Sequence, residues 1–291
     1  MDMSIDVTIT QKSLIKKTLP LNIILGDELK YGAFDGMRLD PDVIGEGGFI
    51  AYNPKHIGRG FSIKWNEQEK EKIELRALTP ANPDEIRDFF ALVERICSYW
   101  KCELEVDGEK LSIREFLARL PEFIDFNEHS LKAFFEELVS GKQKQFSMFC
   151  AMWPLEIGID EAKRFVENPE EFYSWMHERQ TIDAYYAKPS FFVSQDDSIF
   201  GRYVVTEDVR SIFPLTPSVP FGNVDPDTHE QLKCDTFVVG LYSTTEDSGL
   251  GLVPYDAFLE YVLPKSEKYD GFNIIFEGLS FEDMKELLNR A

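Results

Sequence analysis

Cysteine is scarce in this chain. Four thiols, Cys97, Cys102, Cys150 and Cys234, are scattered through 291 residues without a C-x-x-C pair. So few, so irregularly placed, they exclude a secreted disulfide framework and predict reduced thiols. Apolar runs approaching the roughly 18 residues of a membrane span are also missing, so no membrane association is expected. The opening stretch, MDMSIDVTITQKSLIKK, carries two acids and no apolar core, so it does not read as a signal peptide and the expected location is cytoplasmic. Histidine is equally sparse: His56, His129, His177 and His229 lie far apart with no H-x-x-x-H pair, and neither a metal nor a cofactor is expected. Phosphate-loop, dinucleotide-fingerprint, G-x-S-x-G and EF-hand spacings are absent too. The chain carries no ready-made catalytic signature.

What is abundant is acid and aromatic side chain. Fifty-two Asp and Glu against 31 Lys and Arg leave a net charge of -21, alongside 24 Phe, 11 Tyr and 4 Trp. That many aromatics exclude a solvated disordered tail, and the field disfavours nucleic acid as a partner. The charge is uneven along the chain. Residues 1–76 hold 12 acids and 11 bases, whereas residues 181–291 hold 19 and 8. No block of five or six like charges occurs, so the acids read first as solvated faces of folded elements.

Periodicity predicts an α+β fold: two mixed α/β lobes with mainly antiparallel sheets, joined by a helical middle segment. The expected boundaries are an N-terminal lobe over 1–145, a helical connector over 146–182 and a C-terminal lobe over 183–291. Alternation predicts strands at 49–53, 61–65 and 72–78, preceded by short strands that include 23–25. Asn82, Pro83 and Glu85 form a capping-box signature, and Ile86, Phe89, Phe90, Val93, Ile96, Cys97 and Trp100 then recur at helical spacing. Asp107-Gly108 predicts a hairpin turn. Further helices are expected at 112–120, 131–141, 160–166 and 169–179, with Pro121 ending the first of them. Strands then return at 185–194, 199–206, 235–244 and 272–277, interrupted by a proline-rich loop over 213–230.

One constellation in the near-neutral opening carries chemistry. Gly45, Gly47, Gly48, Gly58 and Gly60 flank Lys55, His56 and Arg59, and a glycine turn beside cations could cradle an anion on bare backbone N–H groups. Lys55, His56, Arg59 and Trp65 are therefore the candidate binding residues; no catalytic residue is assigned. Hairpin turns between half-buried strands account for the same glycines.

The run from Gly48 to Trp100 carries Tyr52-Asn53-Pro54, Ile57-Gly58-Arg59-Gly60, Trp65-Asn66, Leu78 to Pro80, and Glu85-Ile86 leading to Trp100. With these motifs the chain resembles a family of uncharacterised bacterial proteins of about 290 residues, a domain of unknown function, and that resemblance implies no activity or catalytic residue. Two functional readings stand. The first is a non-enzymatic protein-binding or regulatory module whose acidic, aromatic-bearing lobes engage a basic partner, an immunity-type protein holding a toxin being one form. The alternative is an enzyme acting on an anionic small molecule at a site near His56 and Arg59.

Overall fold

The computed structural model describes residues 4–34, 39–194, 198–220, 223–224, 228–234 and 236–290. The chain divides into two compact units, Met1–Ile182 and Asp183–Ala291. Both mix helices with mainly antiparallel sheets, so the fold class is α+β.

The first unit begins with β1 (Ser4–Gln11), α1 (Leu21–Leu25), β2 (Lys30–Phe34), β3 (Leu39–Pro41), β4 (Phe49–Tyr52), β5 (Phe61–Lys64) and β6 (Lys72–Leu78). There follow α2 (Pro83–Tyr99), β7 (Cys102–Val106), β8 (Glu109–Leu111), α3 (Ile113–Ala118) and α4 (Leu120–Val139). Eight strands form one antiparallel sheet in the order β3-β2-β4-β5-β6-β1-β7-β8. Strict alternation in SIDVTITQ puts Ile5, Val7 and Ile9 on the inner face, where Ile63, Ile73, Leu75, Leu104 and Val106 join them. Onto this face packs α2. The predicted capping box is present: the Asn82 side chain caps the helix and Glu85 reaches back to the Asn82 N–H. A cap of this kind contributes about 1 kcal/mol. The stripe Ile86, Phe89, Phe90, Val93 and Ile96 is buried, with Phe90 stacked on Phe116 of α3 at 4.1 Å.

Past α4 lie β9 (Phe146–Met148), β10 (Leu155–Ile157), α5 (Ile159–Phe165) and α6 (Pro169–Gln180). Residues 146–182 fall within the first unit. Phe135 of α4, Phe165 of α5, and Phe172 and Trp175 of α6 make one aromatic cluster.

In the second unit, β11 (Tyr185–Tyr186), β12 (Ser190–Val193), β13 (Ile199–Thr206), β14 (Ser211–Pro214), β15 (Thr236–Ser243) and β16 (Ser248–Pro254) precede α7 (Tyr255–Val262). It closes with β17 (Glu267–Lys268), β18 (Asn273–Phe276) and α8 (Phe281–Arg290). Two four-stranded sheets form, β12-β13-β15-β16 and β11-β14-β18-β17. Tyr203, Val205, Val239, Leu241 and Val253 of the first sheet share a core with Phe213, Ile274 and Phe276 of the second and with Phe258, Val262, Met284 and Leu287 of the helices.

Three local expectations change. Residues 21–25 are helical, closed at Gly26, which adopts φ 60°. Pro121 does not end a helix; it sits in the first turn of α4, where its missing N–H has no intrahelical acceptor to lose. The predicted strand over 185–194 breaks at Lys188-Pro189 into β11 and β12, which join different sheets. Among the described residues, no helix is long and apolar enough to cross a membrane.

Candidate functional site

The loop joining β4 to β5 carries three of the four predicted binding residues, and its chemistry points inward. The N–H groups of Gly58 and Gly60 donate to Glu85 Oε1 at 3.1 and 2.9 Å, and the N–H of Arg59 donates to Glu85 Oε2 at 3.1 Å. Glu85, 1% exposed, thus fills the cradle that the glycines make. Burial raises its pKa, against the opposing effect of these N–H bonds. Gly58 is obligatory for the approach, since a Cβ there would stand 2.1 Å from Glu85 Oε2.

Arg59 is a buried strut. Its guanidinium donates to the carbonyls of Phe149 at 2.9 Å and Thr79 at 3.0 Å, and burial lowers its pKa. Trp65 is buried as well, its indole N–H on the Leu19 carbonyl at 3.0 Å. Lys55 is exposed. His56 Nε2 lies 2.6 Å from Asp88 Oδ2, which also accepts from Asn53 Nδ2 at 2.8 Å. Nearby, His177 Nδ1 accepts the Ile57 N–H at 2.9 Å, so its proton lies on Nε2, and burial lowers its pKa. The structure therefore gathers His56 and Arg59 in one turn but commits both to partners within the fold.

The sheet surfaces show where partners are lacking. On the outer face of the large sheet, side chains form a tiled ionic layer. Arg76 forks onto Asp6 at 2.5 and 3.1 Å, Lys64 and Lys72 meet Glu74 at 2.9 and 2.6 Å, and Lys12 and Lys110 flank Glu103 at 2.9 and 2.7 Å. Glu74 is held at about 2 by its two lysines.

The outer face of β12-β13-β15-β16 is built otherwise. Register sets Phe192 against Phe200, Arg202 against Val238 and Val204 against Gly240, with Leu252 beyond. Phe192 stacks on Phe200 at 5.6 Å, and the Arg202 guanidinium lies 4.3 Å from the Phe192 ring. Among the described residues, the buried Arg202 Nε has no hydrogen-bond acceptor. Phe192, 37% exposed, lies toward one end of the face, and Leu252, 54% exposed, and the exposed Tyr242 lie toward the other. A sheet face with exposed apolar side chains can bind a surface that brings apolar anchors.

Sequence reasoning missed this face. Its signal was the failure of alternation: SFFV, IFGRYVVT and TFVVGLYS are apolar on both sides, unlike SIDVTITQ or KIELRAL.

Comparison with curated proteins and with solved structures finds no match. A family model does match, over residues 4–287, essentially the whole of both units. The chain belongs to the family described as Domain of unknown function (DUF4299).

Proposed function

We propose that this protein is a binding module that engages a basic protein through the outer face of the β12-β13-β15-β16 sheet. The observation that supports this most directly is the set of exposed side chains Phe192, Tyr242 and Leu252, spread over the outer face of a sheet whose four strands contain a single charged residue, Arg202. The charge of the partner follows from the unit that presents the face. Residues 183–291 hold 19 acids and 8 bases, so a cationic surface is steered toward it and an acidic one is turned away. Apolar side chains at the centre with charge around them match the anatomy of transient interfaces.

Affinity capture tests the reading. The immobilised full chain and its Leu252→Asp variant are exposed to lysate of the organism that carries the gene. Expected is a basic protein retained by the native chain, released as salt rises, and lost to the variant. Equal retention by both chains, or retention that ignores salt, overturns the proposal.

A further inference from the structure

Sheet edges are reactive places, because a terminal strand presents a row of backbone donors and acceptors to any other chain. Most edges of this protein are guarded. At one end of the large sheet, β3 has three residues that include Asp40 and Pro41; at the other, β8 has three that include Glu109 and Lys110. β11 and β17 are two residues long. β16 is interrupted by a register shift where it meets Leu241 and Tyr242, and it ends at Pro254. β12 has none of these devices. Its four residues, Ser-Phe-Phe-Val, carry no charge and no proline, and Val193 is 67% exposed.

The register fixes which groups are open. Ser194 N–H donates to the Ser198 carbonyl at 2.8 Å, making 194 and 198 a bonded pair. Bonded pairs alternate along an antiparallel ladder, so 192 with 200 and 190 with 202 are bonded as well. The N–H and C=O groups of Phe191 and Val193 therefore point away from β13, and among the described residues no strand pairs on that side. An added strand would meet two donors and two acceptors, and its alternate side chains would extend the row that Phe200 and Phe192 begin on the outer face.

We propose that β12 receives an extended segment of the basic partner as a fifth strand, the segment alternating apolar side chains over Phe192 with lysine or arginine. This rests on the reading of the outer face as the partner surface. The extended form follows from the two open donor and acceptor pairs, and the basic residues follow from the acidity of the unit. A second copy of this chain is a poorer occupant, because each copy carries a net charge of -21.

The probe is a labelled eight-residue peptide alternating Val and Lys, titrated into the full chain, with two versions N-methylated on alternate residues. Expected is binding that one N-methylated version loses at least tenfold and the other keeps, together with slowed hydrogen exchange at the Phe191 and Val193 amides. Val193→Pro removes an outward N–H that no ladder bond uses, so it leaves the fold intact and weakens binding at least tenfold. Val193→Thr keeps the N–H and changes binding less than threefold. Peptide binding that is indifferent to Val193→Pro and to N-methylation overturns the edge, and the face reading then stands or falls with capture of the basic protein by the Leu252→Asp variant. Sensitivity of the peptide to Val193→Pro upholds the edge, and loss of the captured basic protein in Leu252→Asp, on the far strand β16, tests the face separately. A dimer of the chain that Val193→Pro dissociates, or a peptide that does not bind at all, overturns the proposal.

Discussion

The two units present sheet faces of opposite character. Strands β1, β5, β6, β7 and β8 contain nine charged residues in 27 positions, and strands β12, β13, β15 and β16 contain one in 27. Seven of the nine, with Lys12 just past β1, are arranged as complementary tiles, Asp6 on Arg76, Glu74 between Lys64 and Lys72, and Glu103 between Lys12 and Lys110. The single cation of the other face, Arg202, leans on Phe192, and among the described residues its buried Nε has no acceptor. One face is tiled with ion pairs; the other exposes apolar side chains to water. The same contrast holds inside the first unit, where the glycine cradle of Gly58 to Gly60 is already occupied by Glu85.

The largest effect is expected where the first unit is most complete. Glu85→Ala strips the acceptor from three consecutive buried amides and should cost about 4 kcal/mol by urea unfolding. A loss below about 1 kcal/mol would mean that water or a solute anion replaces the carboxylate, and the cradle would then be an open site after all. Next comes the uncovered face. Leu252→Asp should change stability by less than about 1 kcal/mol, as a half-exposed position allows, yet cost partner binding about 2 kcal/mol, roughly thirtyfold, by titration calorimetry. An unfolded variant would show that the face is core rather than contact.

Acid should reveal a further support in the second unit. Glu207 accepts from the hydroxyl and N–H of Thr245 and from the Ser243 hydroxyl, and these hold it at about 2. A carboxylate depressed on folding stabilises the folded state above its unfolded value near 4.5, and that contribution is lost as pH falls toward 2. Urea midpoints measured between pH 5 and 2 should fall, and Glu207→Gln should flatten the fall. The smallest effect belongs to the tiles. Asp6→Asn should cost under about 1 kcal/mol, less again in 1 M salt, and leave partner binding unchanged. A large, salt-insensitive loss would mark the tiled face as more than a solvated surface.

How much of this was legible in the sequence depends on how local each cause is. The capping box at Asn82 and the stripe from Ile86 to Trp100 are written in consecutive residues, and the helix forms where they place it. Asp107-Gly108 turns with positive φ at both residues, as a hairpin of that kind requires. The role of the Gly58-Arg59-Gly60 turn was not legible. Nothing in its own spacing says that a glutamate 25 residues later occupies it, although Glu85 also stands in the capping box and so announced its position along the helix.

By itself, the sequence determined the α+β class, the solvated acidity and the strand and helix periods, because propensity, capping and alternation act over a few residues. Tertiary structure alone decided which charges are spent internally and which surfaces are left open. Arg59 and Trp65 look like ligand-binding groups in a list of residues, but burial turns one into a strut between carbonyls and the other into core. Phe192 and Leu252 look like core in the same list, and register brings both to the outer face of one sheet. Exposure is a property of packing between distant segments, and no window of neighbouring residues contains it.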